Sequence, residues 1–281
     1  MGYKITGKVI FTGSVQSGGE KDFNWTIQNA SFSGNSFDVS SEDGLPSGVI
    51  FNNDGTRMFV VGFGTDAVYQ YNLSTGFDIT TAGFSGNSFD LSSQENVPTG
   101  IVFNHTGTRM FVVGNDSNSV FQYNLTTGFD ISTATFSGNS LNVISEDGAP
   151  QGVHFNDDGT RMFMLGTTSD SVHVYNLTTG FDISTASFSG VSFDVSSEDS
   201  NPTGVAFSTT GTRMFVVGNT SNSVHQYNLT TGFDITTATY SGHSFNVNTE
   251  DTGRRGITFN PLGTLMFMVG LGNDKIYQYD L

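Results

Sequence analysis

The chain repeats one motif, Pro98-Thr99-Gly100-Ile101-Val102-Phe103-Asn104-His105-Thr106-Gly107-Thr108-Arg109-Met110-Phe111-Val112-Val113-Gly114, along most of its length. The Gly-Thr-Arg-Met-Phe centre occurs at residues 55–59, 107–111, 159–163 and 211–215, and a fifth copy at 263–267 has Leu265 in place of the arginine. Each copy begins 52 residues after the previous one. A fixed period of this size, built from short apolar runs and glycine turns, is typical of a β-propeller.

Each repeat predicts four strands, A to D. In the first copy, strand A is expected at residues 48–52, strand B at 57–61 and strand C at 68–73, and strand D is expected to extend from 77 to 91. After its arginine, strand B is apolar on both faces, which favours a sheet that is covered on both sides. No segment has a sustained period of 3.6 residues, so almost no helix is predicted.

The two ends of the chain predict how the ring closes. The last copy stops after strand C, at Leu281, while residues 24–34 align with residues 76–86 and place Trp25 where Phe77 stands. An N-terminal strand that completes the last blade removes the exposed edges of an open array. We therefore predict an all-β, five-bladed β-propeller of four-stranded blades over residues 22–281, preceded by a β arm or linker at residues 1–21.

Composition excludes several classes of protein. The 281 residues carry a net charge of −16 from 10 Lys and Arg against 26 Asp and Glu, which argues against binding to nucleic acid or to anionic membranes. There is no cysteine, so disulfides and cysteine-zinc sites are excluded. No apolar run is long enough to cross a membrane, and the N-terminus has no apolar core of a signal peptide.

The extended motif, Pro-x-Gly-Val-x-Phe-x-x-x-Gly-Thr-Arg-Met-Phe-Val-Val-Gly followed by Ser-Val-x-x-Tyr-Asn-Leu, resembles the YVTN, NHL and lactonase-like propeller repeats over residues 22–281. The resemblance implies the fold. It implies no single activity, because that superfamily includes enzymes, binding modules and cell-surface or viral proteins. Its lactonase-type enzymes usually have more blades and place a few unlike residues at the channel mouth, an arrangement that near-identical repeats do not suggest.

The D–A and B–C loops share one end of the predicted ring, here named the top face. Their carboxylate and amide oxygens would suit Ca²⁺ or sugar hydroxyls, although the same residues are also ordinary turn formers. No loop has the Asp-x-Asp-x-Asp-Gly spacing of a strong Ca²⁺ site, so the metal ligands stay unassigned. The candidate ligand-binding residues of the top face are Glu42, Asp43, Glu95, Asn115, Asp116, Asn118, Glu146, Asp147, Asp170, Glu198, Asp199, Asn219, Asn222 and Asp251.

Three further candidates interrupt the repetition. His154 stands on strand A where other repeats carry Ile50, Val102, Ala206 and Thr258, at a position that is expected to line the central channel. Arg254 and Arg255 replace a Pro-Thr type pair and place two cations on an otherwise acidic face. A single His with no carboxylate in its own strand is weak evidence for catalysis, so no catalytic residue is assigned.

The main functional hypothesis is a non-enzymatic recognition or adhesion module that binds a glycan or another repetitive surface ligand, because similar weak sites gain affinity through avidity. Such a module is expected outside the cell or on a virion, with no cofactor other than Ca²⁺ and an oligomeric state that the sequence does not define. One alternative is a hydrolase or lyase that acts on a sugar or lactone at the central channel, which would need a unique cluster of residues. Another is a purely structural scaffold.

Overall fold

A computed structural model describes residues 25–281, which form twenty strands and four short 3-10 turns. The predicted arm at residues 1–21 lies outside the described residues. Within residues 25–281, no helix has the length and apolar character needed to cross a membrane. The strands are β1 Ser31–Asp38, β2 Pro46–Phe51, β3 Arg57–Gly62, β4 Ala67–Leu73, β5 Ala82–Asp90, β6 Pro98–Phe103, β7 Arg109–Gly114, β8 Ser119–Leu125, β9 Ala134–Asn142, β10 Pro150–Phe155, β11 Arg161–Gly166, β12 Ser171–Leu177, β13 Ala186–Asp194, β14 Pro202–Phe207, β15 Arg213–Gly218, β16 Ser223–Leu229, β17 Ala238–Asn246, β18 Arg254–Phe259, β19 Leu265–Gly270 and β20 Lys275–Asp280.

The strands form five antiparallel four-stranded sheets, which are the blades of a propeller. Four blades are consecutive in the chain: β2 to β5, β6 to β9, β10 to β13 and β14 to β17. The fifth has the order β1-β20-β19-β18, so the N-terminal strand completes the C-terminal blade. The innermost strands contact one another in a closed circle, with β18 beside β2. The predicted fold and ring closure are confirmed.

Aromatic pairs join each blade to the next. Phe59 on β3 packs against Phe103 of the second blade, with ring centroids 4.7 Å apart. The last blade is joined to the first in the same way, by Phe267 and Phe51 at 4.5 Å. The strand-B phenylalanines have no exposed surface, which confirms that they are buried between blades. A blade cannot separate from its neighbour without exposing such a pair to water.

The repeated arginines also join blades. The guanidinium of Arg57 donates to the carbonyl oxygen of Phe129 in the next blade at 2.6 Å, and Arg161 donates to the carbonyl of Phe233 at 2.9 Å. Arg109 makes the equivalent bond to the carbonyl of Phe181, so the recurring arginine has a structural role at the blade edge.

Strand D starts later than the sequence predicts. A 3-10 turn at Ile79–Thr81 precedes β5, and the carboxylate of Asp78 caps it by accepting from the backbone N–H of Thr80 at 3.1 Å. Phe77 has a φ of 60°, which an extended strand does not allow. The same turn recurs at Ile131–Thr133, Ile183–Thr185 and Ile235–Thr237. The Asp-Ile-Ser/Thr-Thr sequence is therefore a capped turn and not the beginning of a strand.

Candidate active site

A cavity of about 460 Å³ lies on the propeller axis, at the end opposite the top face. This end, here named the bottom face, carries the turns between strands A and B. The cavity wall is largely aromatic, because the phenylalanine that ends each strand A lines it and the segments before strand D add a second ring in four of the five blades. These rings are Phe51, Phe103, Phe155, Phe207 and Phe259, and Trp25, Phe129, Phe181 and Phe233.

A ring of five glycines separates this cavity from the top face. A Cβ atom on Gly256 would lie 3.0 Å from the Cα of Gly48, and a Cβ on Gly204 would lie 3.1 Å from the Cα of Gly256. Five inner strands can meet this closely only where they carry no side chain. The corresponding glycines of the remaining repeats are Gly100 and Gly152, and only about 30 Å³ of space remains at this level. The cavity is therefore reached from the bottom face.

Two positions of the repeat that line the cavity carry a different residue in nearly every blade. The inner position, on strand A, is occupied by Ile50, Val102, His154, Ala206 and Thr258. The outer position, in the turn after strand A, is occupied by Asn53, His105, Asp157, Thr209 and Pro261 and is exposed in all five blades. The expectation that the His154 position lines the central channel is confirmed.

His154 is the one ionisable residue at the inner position. Its imidazole packs on the ring of Phe207, with centroids 5.2 Å apart. Burial lowers the pKa of His154 from its ordinary 6.5 to about 4. The imidazole is therefore neutral at neutral pH, so it has one nitrogen that donates and one that accepts a hydrogen bond.

His105 and Asp157 form a pair at the cavity mouth. The Nε2 atom of His105 lies 3.9 Å from Oδ1 of Asp157, and both side chains are about two-thirds exposed. The amide of Asn53 donates to the backbone oxygen of His105 at 2.8 Å, which links the first and second blades at the mouth. This pair was not among the residues predicted from the sequence, although the sequence carries a signal for it, a turn position that differs in every copy of an otherwise regular repeat.

The top-face carboxylates have partners within the loops. Asp147 accepts from the backbone N–H groups of Ala149 at 2.7 Å, Thr168 at 3.2 Å and Ser169 at 2.8 Å, and from the Ser169 hydroxyl at 2.6 Å. Burial would raise the pKa of Asp147, but these hydrogen bonds outweigh it and hold the pKa below its usual range. The equivalent residues are buried in the other blades, where they bond to the same kinds of loop groups: Asp43, Glu95, Asp199 and Asp251.

The other top-face candidates are spread around the ring. Glu42, Glu146 and Glu198 each accept from a strand-C tyrosine hydroxyl, as Glu146 does from Tyr175 at 2.9 Å. Asp170, Asn118 and Asn222 have positive φ in the B–C loops, and the exposed Asp116 accepts from Asn96 at 3.0 Å. Within residues 25–281, no three acidic, His or Cys side chains are arranged to hold a metal ion. Ligand binding by this face, Asn115 included, stays a prediction.

The structure does not bring Arg254 and Arg255 together with His154. Arg254 is 1% exposed and donates to the side-chain oxygens of Asn222 and Asn248, while its backbone N–H donates to Asn219 at 2.9 Å. Arg255 extends over the ring of Phe63, a loop residue of the top face. Both arginines therefore lie beyond the glycine ring, outside the cavity.

Comparison with known proteins identifies the family. The model of the family described as "Lactonase, 7-bladed beta-propeller" matches residues 42–233, well over half of the chain. The chain belongs to this lactonase family. It has five blades where the family description gives seven. No curated protein sequence matches the chain.

Solved structures support the fold alone, since their identity to this chain is low. A functionally unknown protein from Desulfotomaculum acetoxidans is 13% identical, with a TM-score of 0.51 over 80% of this chain and 65% of that one. A Lactobacillus plantarum protein is 14% identical, with a TM-score of 0.50 over 84% and 67%. A candidate 6-phosphogluconolactonase from Bacteroides fragilis is 14% identical, with a TM-score of 0.49 over 72% of this chain and 55% of its own length. The chain thus spans about half the length of that protein.

The family match corrects the main functional hypothesis. A non-enzymatic recognition module is wrong, and the match favours the alternative of an enzyme that acts on a lactone. The hypothesis relied on the near-identity of the repeats, whereas the repeats are unlike at the two positions that meet in the cavity.

Proposed function

We propose that this protein hydrolyses a lactone in the axial cavity. Membership of the lactonase family supports the reaction class. The cavity volume of about 460 Å³ lies within the range of small-molecule sites, which are mostly apolar with a few polar groups that converge. Hydrolysis would add water to the lactone carbonyl carbon and break the ring C–O bond, giving a hydroxy acid.

The observation that carries the proposal is the convergence of His154, His105 and Asp157 on one cavity. Addition of water needs a base that accepts a proton and a donor for the oxygen that becomes negative. His105 is the base in this proposal, because it lies at the mouth where water enters and its Nε2 atom is 3.9 Å from Oδ1 of Asp157.

His154 supplies the donor. Because burial keeps the imidazole neutral, one of its nitrogens carries an N–H that can polarise a carbonyl without carrying a charge into an apolar cavity. His154 and Asp157 belong to the third blade and His105 to the second, so in this proposal the reacting carbonyl lies beside these two blades.

The charge of the protein favours release of the product. The lactone is converted into a carboxylate, which Asp157 at the mouth and the overall charge of −16 repel. Product accumulation should therefore inhibit the enzyme weakly, and more strongly at high salt, where the repulsion is screened.

The test is proton release from δ-valerolactone in a pH-stat at neutral pH, above the uncatalysed rate. The replacement in His105→Thr is the residue at the equivalent position of the fourth repeat, Thr209. The replacement in Asp157→Asn is the residue at that position of the first repeat, Asn53, so both residues fit the turn. Each of these two variants should reduce kcat/KM. The control Asp116→Asn removes one carboxylate charge from the top face and should leave kcat/KM unchanged. Equal activity in all three variants would reject the proposed site, and no hydrolysis by the unmodified protein would reject the function for this substrate class.

A further inference from the structure

The described lining of the cavity holds no permanent cation that could neutralise a phosphate group, and its two basic residues are His105 and His154. Among the described residues that line it, none is Lys or Arg, and the one carboxylate is that of Asp157. Arg57, Arg109 and Arg161 are engaged by backbone carbonyls, and Arg254 and Arg255 lie beyond the glycine ring. A phosphate group needs charge-assisted donors such as Arg or Lys, and burying one without them is costly.

The cavity wall is also unequal around the axis. The first and second blades present the branched side chains of Ile50 and Val102, while the fourth presents the small side chain of Ala206. Between these two sides stands His154 of the third blade. A ligand whose carbonyl lies against His154 therefore has open space on the Ala206 side and an apolar wall on the other.

We propose that the substrate of this cavity is an uncharged lactone with an apolar substituent, which packs against Ile50, Val102 and the phenylalanine ring of the wall. This inference rests on the proposed lactone hydrolysis, and it separates this chain from an enzyme for phosphorylated sugar lactones. The apolar substituent, and not a charged group, is then the source of affinity.

Binding can be measured apart from catalysis, because Trp25 is the one tryptophan in the sequence and lines the cavity. The probes are δ-valerolactam and its propyl and pentyl derivatives, which resemble the lactones but resist hydrolysis. Their affinities, followed by Trp25 fluorescence, should rise by roughly fourfold per methylene, the increment for burying a CH₂ group. Trp25→Phe should abolish the signal and keep the fold, because Phe77, Phe129, Phe181 and Phe233 stand at the same position of the other repeats.

Two single substitutions, each to the residue that another repeat carries at the inner position, test the wall directly. Ile50→Thr, taken from Thr258, makes the apolar wall polar and should weaken the pentyl lactam several-fold more than the unsubstituted one. Ala206→Val, taken from Val102, narrows the open side and should weaken every probe. Both replacements occur naturally at this position of the repeat, and circular dichroism with thermal melting verifies that each variant is folded.

The outcomes distinguish the two proposals. Affinity that is flat or falling along the series, or no response to any lactam, overturns the inference about the substrate. It is overturned equally if 6-phosphogluconolactone is hydrolysed with a higher kcat/KM than the pentyl δ-lactone. If the lactam affinities rise as expected but no lactone of either kind is hydrolysed, the cavity binds such molecules and the proposed hydrolysis is wrong.

Discussion

The top and bottom faces of this propeller are built from the same five repeats but differ in their polar residues. Those of the top face recur and are buried, whereas those at the mouth of the bottom face vary and are exposed. On the top face each D–A loop carries a buried acidic residue that accepts hydrogen bonds from groups of the neighbouring loops. These residues are Asp43, Glu95, Asp147, Asp199 and Asp251. On the bottom face, the turn position of the cavity mouth is exposed in every blade and different in every blade.

In a near-perfect repeat, recurring and variable positions serve different ends. A residue that recurs in all copies meets a need that all copies share, which here is the geometry of a blade. One reaction centre needs unlike groups at one place, and this ring supplies them by varying the two positions of the repeat that line the cavity. Function should therefore be sought where the repetition fails.

The largest expected effect lies on the top face. Asp147→Ala leaves the N–H groups of Ala149, Thr168 and Ser169 without their acceptor. Charge-assisted hydrogen bonds contribute about 1.5–3 kcal/mol each and are not additive, so we expect a loss of about 4 kcal/mol in the free energy of unfolding. Chemical denaturation measures it. A loss below about 1 kcal/mol would mean that the carboxylate is not part of the loop structure.

The bottom face should give the opposite result. His105→Thr should lower kcat/KM for lactone hydrolysis by about 100-fold, the lower range for loss of a general base, and should change stability by less than about 0.5 kcal/mol. Steady-state kinetics and denaturation on the same preparation test both. A variant that loses stability but keeps its activity would reverse the roles assigned to the two faces.

His154 should make the fold sensitive to acid. Its pKa of about 4 lies below its ordinary 6.5, so the unfolded chain binds a proton at a higher pH than the folded one. Stability is unaffected well above pH 6.5 and falls as the pH decreases towards 4, by about 3 kcal/mol. His154→Val, with the residue of Val102, should lose this component, as denaturation at pH 7 and pH 4 would show. An identical acid sensitivity in the variant would place the responsible group elsewhere.

The smallest effect concerns the glycine ring. Gly256→Ala would bring a methyl group to 3.0 Å from the backbone of Gly48, whereas Gly83→Ala meets no atom within 4 Å. We expect Gly256→Ala to lower the free energy of unfolding by about 1–2 kcal/mol because the inner strands must separate. The control Gly83→Ala should have little effect. Equal results for the two would show that the ring tolerates expansion.

The sequence predicted the fold well because the fold depends on what recurs. The 52-residue period, the paired strands and the alignment of Trp25 with Phe77 gave the blade number and the closure by β1. The start of strand D was missed because Asp78 caps a turn through a local side-chain bond that hydrophobic periodicity does not register.

The candidate site was predicted only in part. His154 was placed in the channel, because its position differs among the repeats and lies on the innermost strand. His105 and Asp157 were missed because they are 52 residues apart, and only the packing of neighbouring blades brings their turns to one mouth. The glycine ring, which excludes Arg254 and Arg255 from the cavity, depends on how closely five strands approach, and the sequence does not give that distance.

One measurement tests most directly whether the unlike residues of the bottom face form the reaction centre. It is kcat/KM for pentyl δ-valerolactone in the triple variant His105→Thr, His154→Val, Asp157→Asn, in which every replacement comes from another repeat. We predict that hydrolysis falls to the uncatalysed rate while the melting temperature changes by only a few degrees. A folded triple variant that retains more than half of the kcat/KM of the unmodified protein would contradict the account.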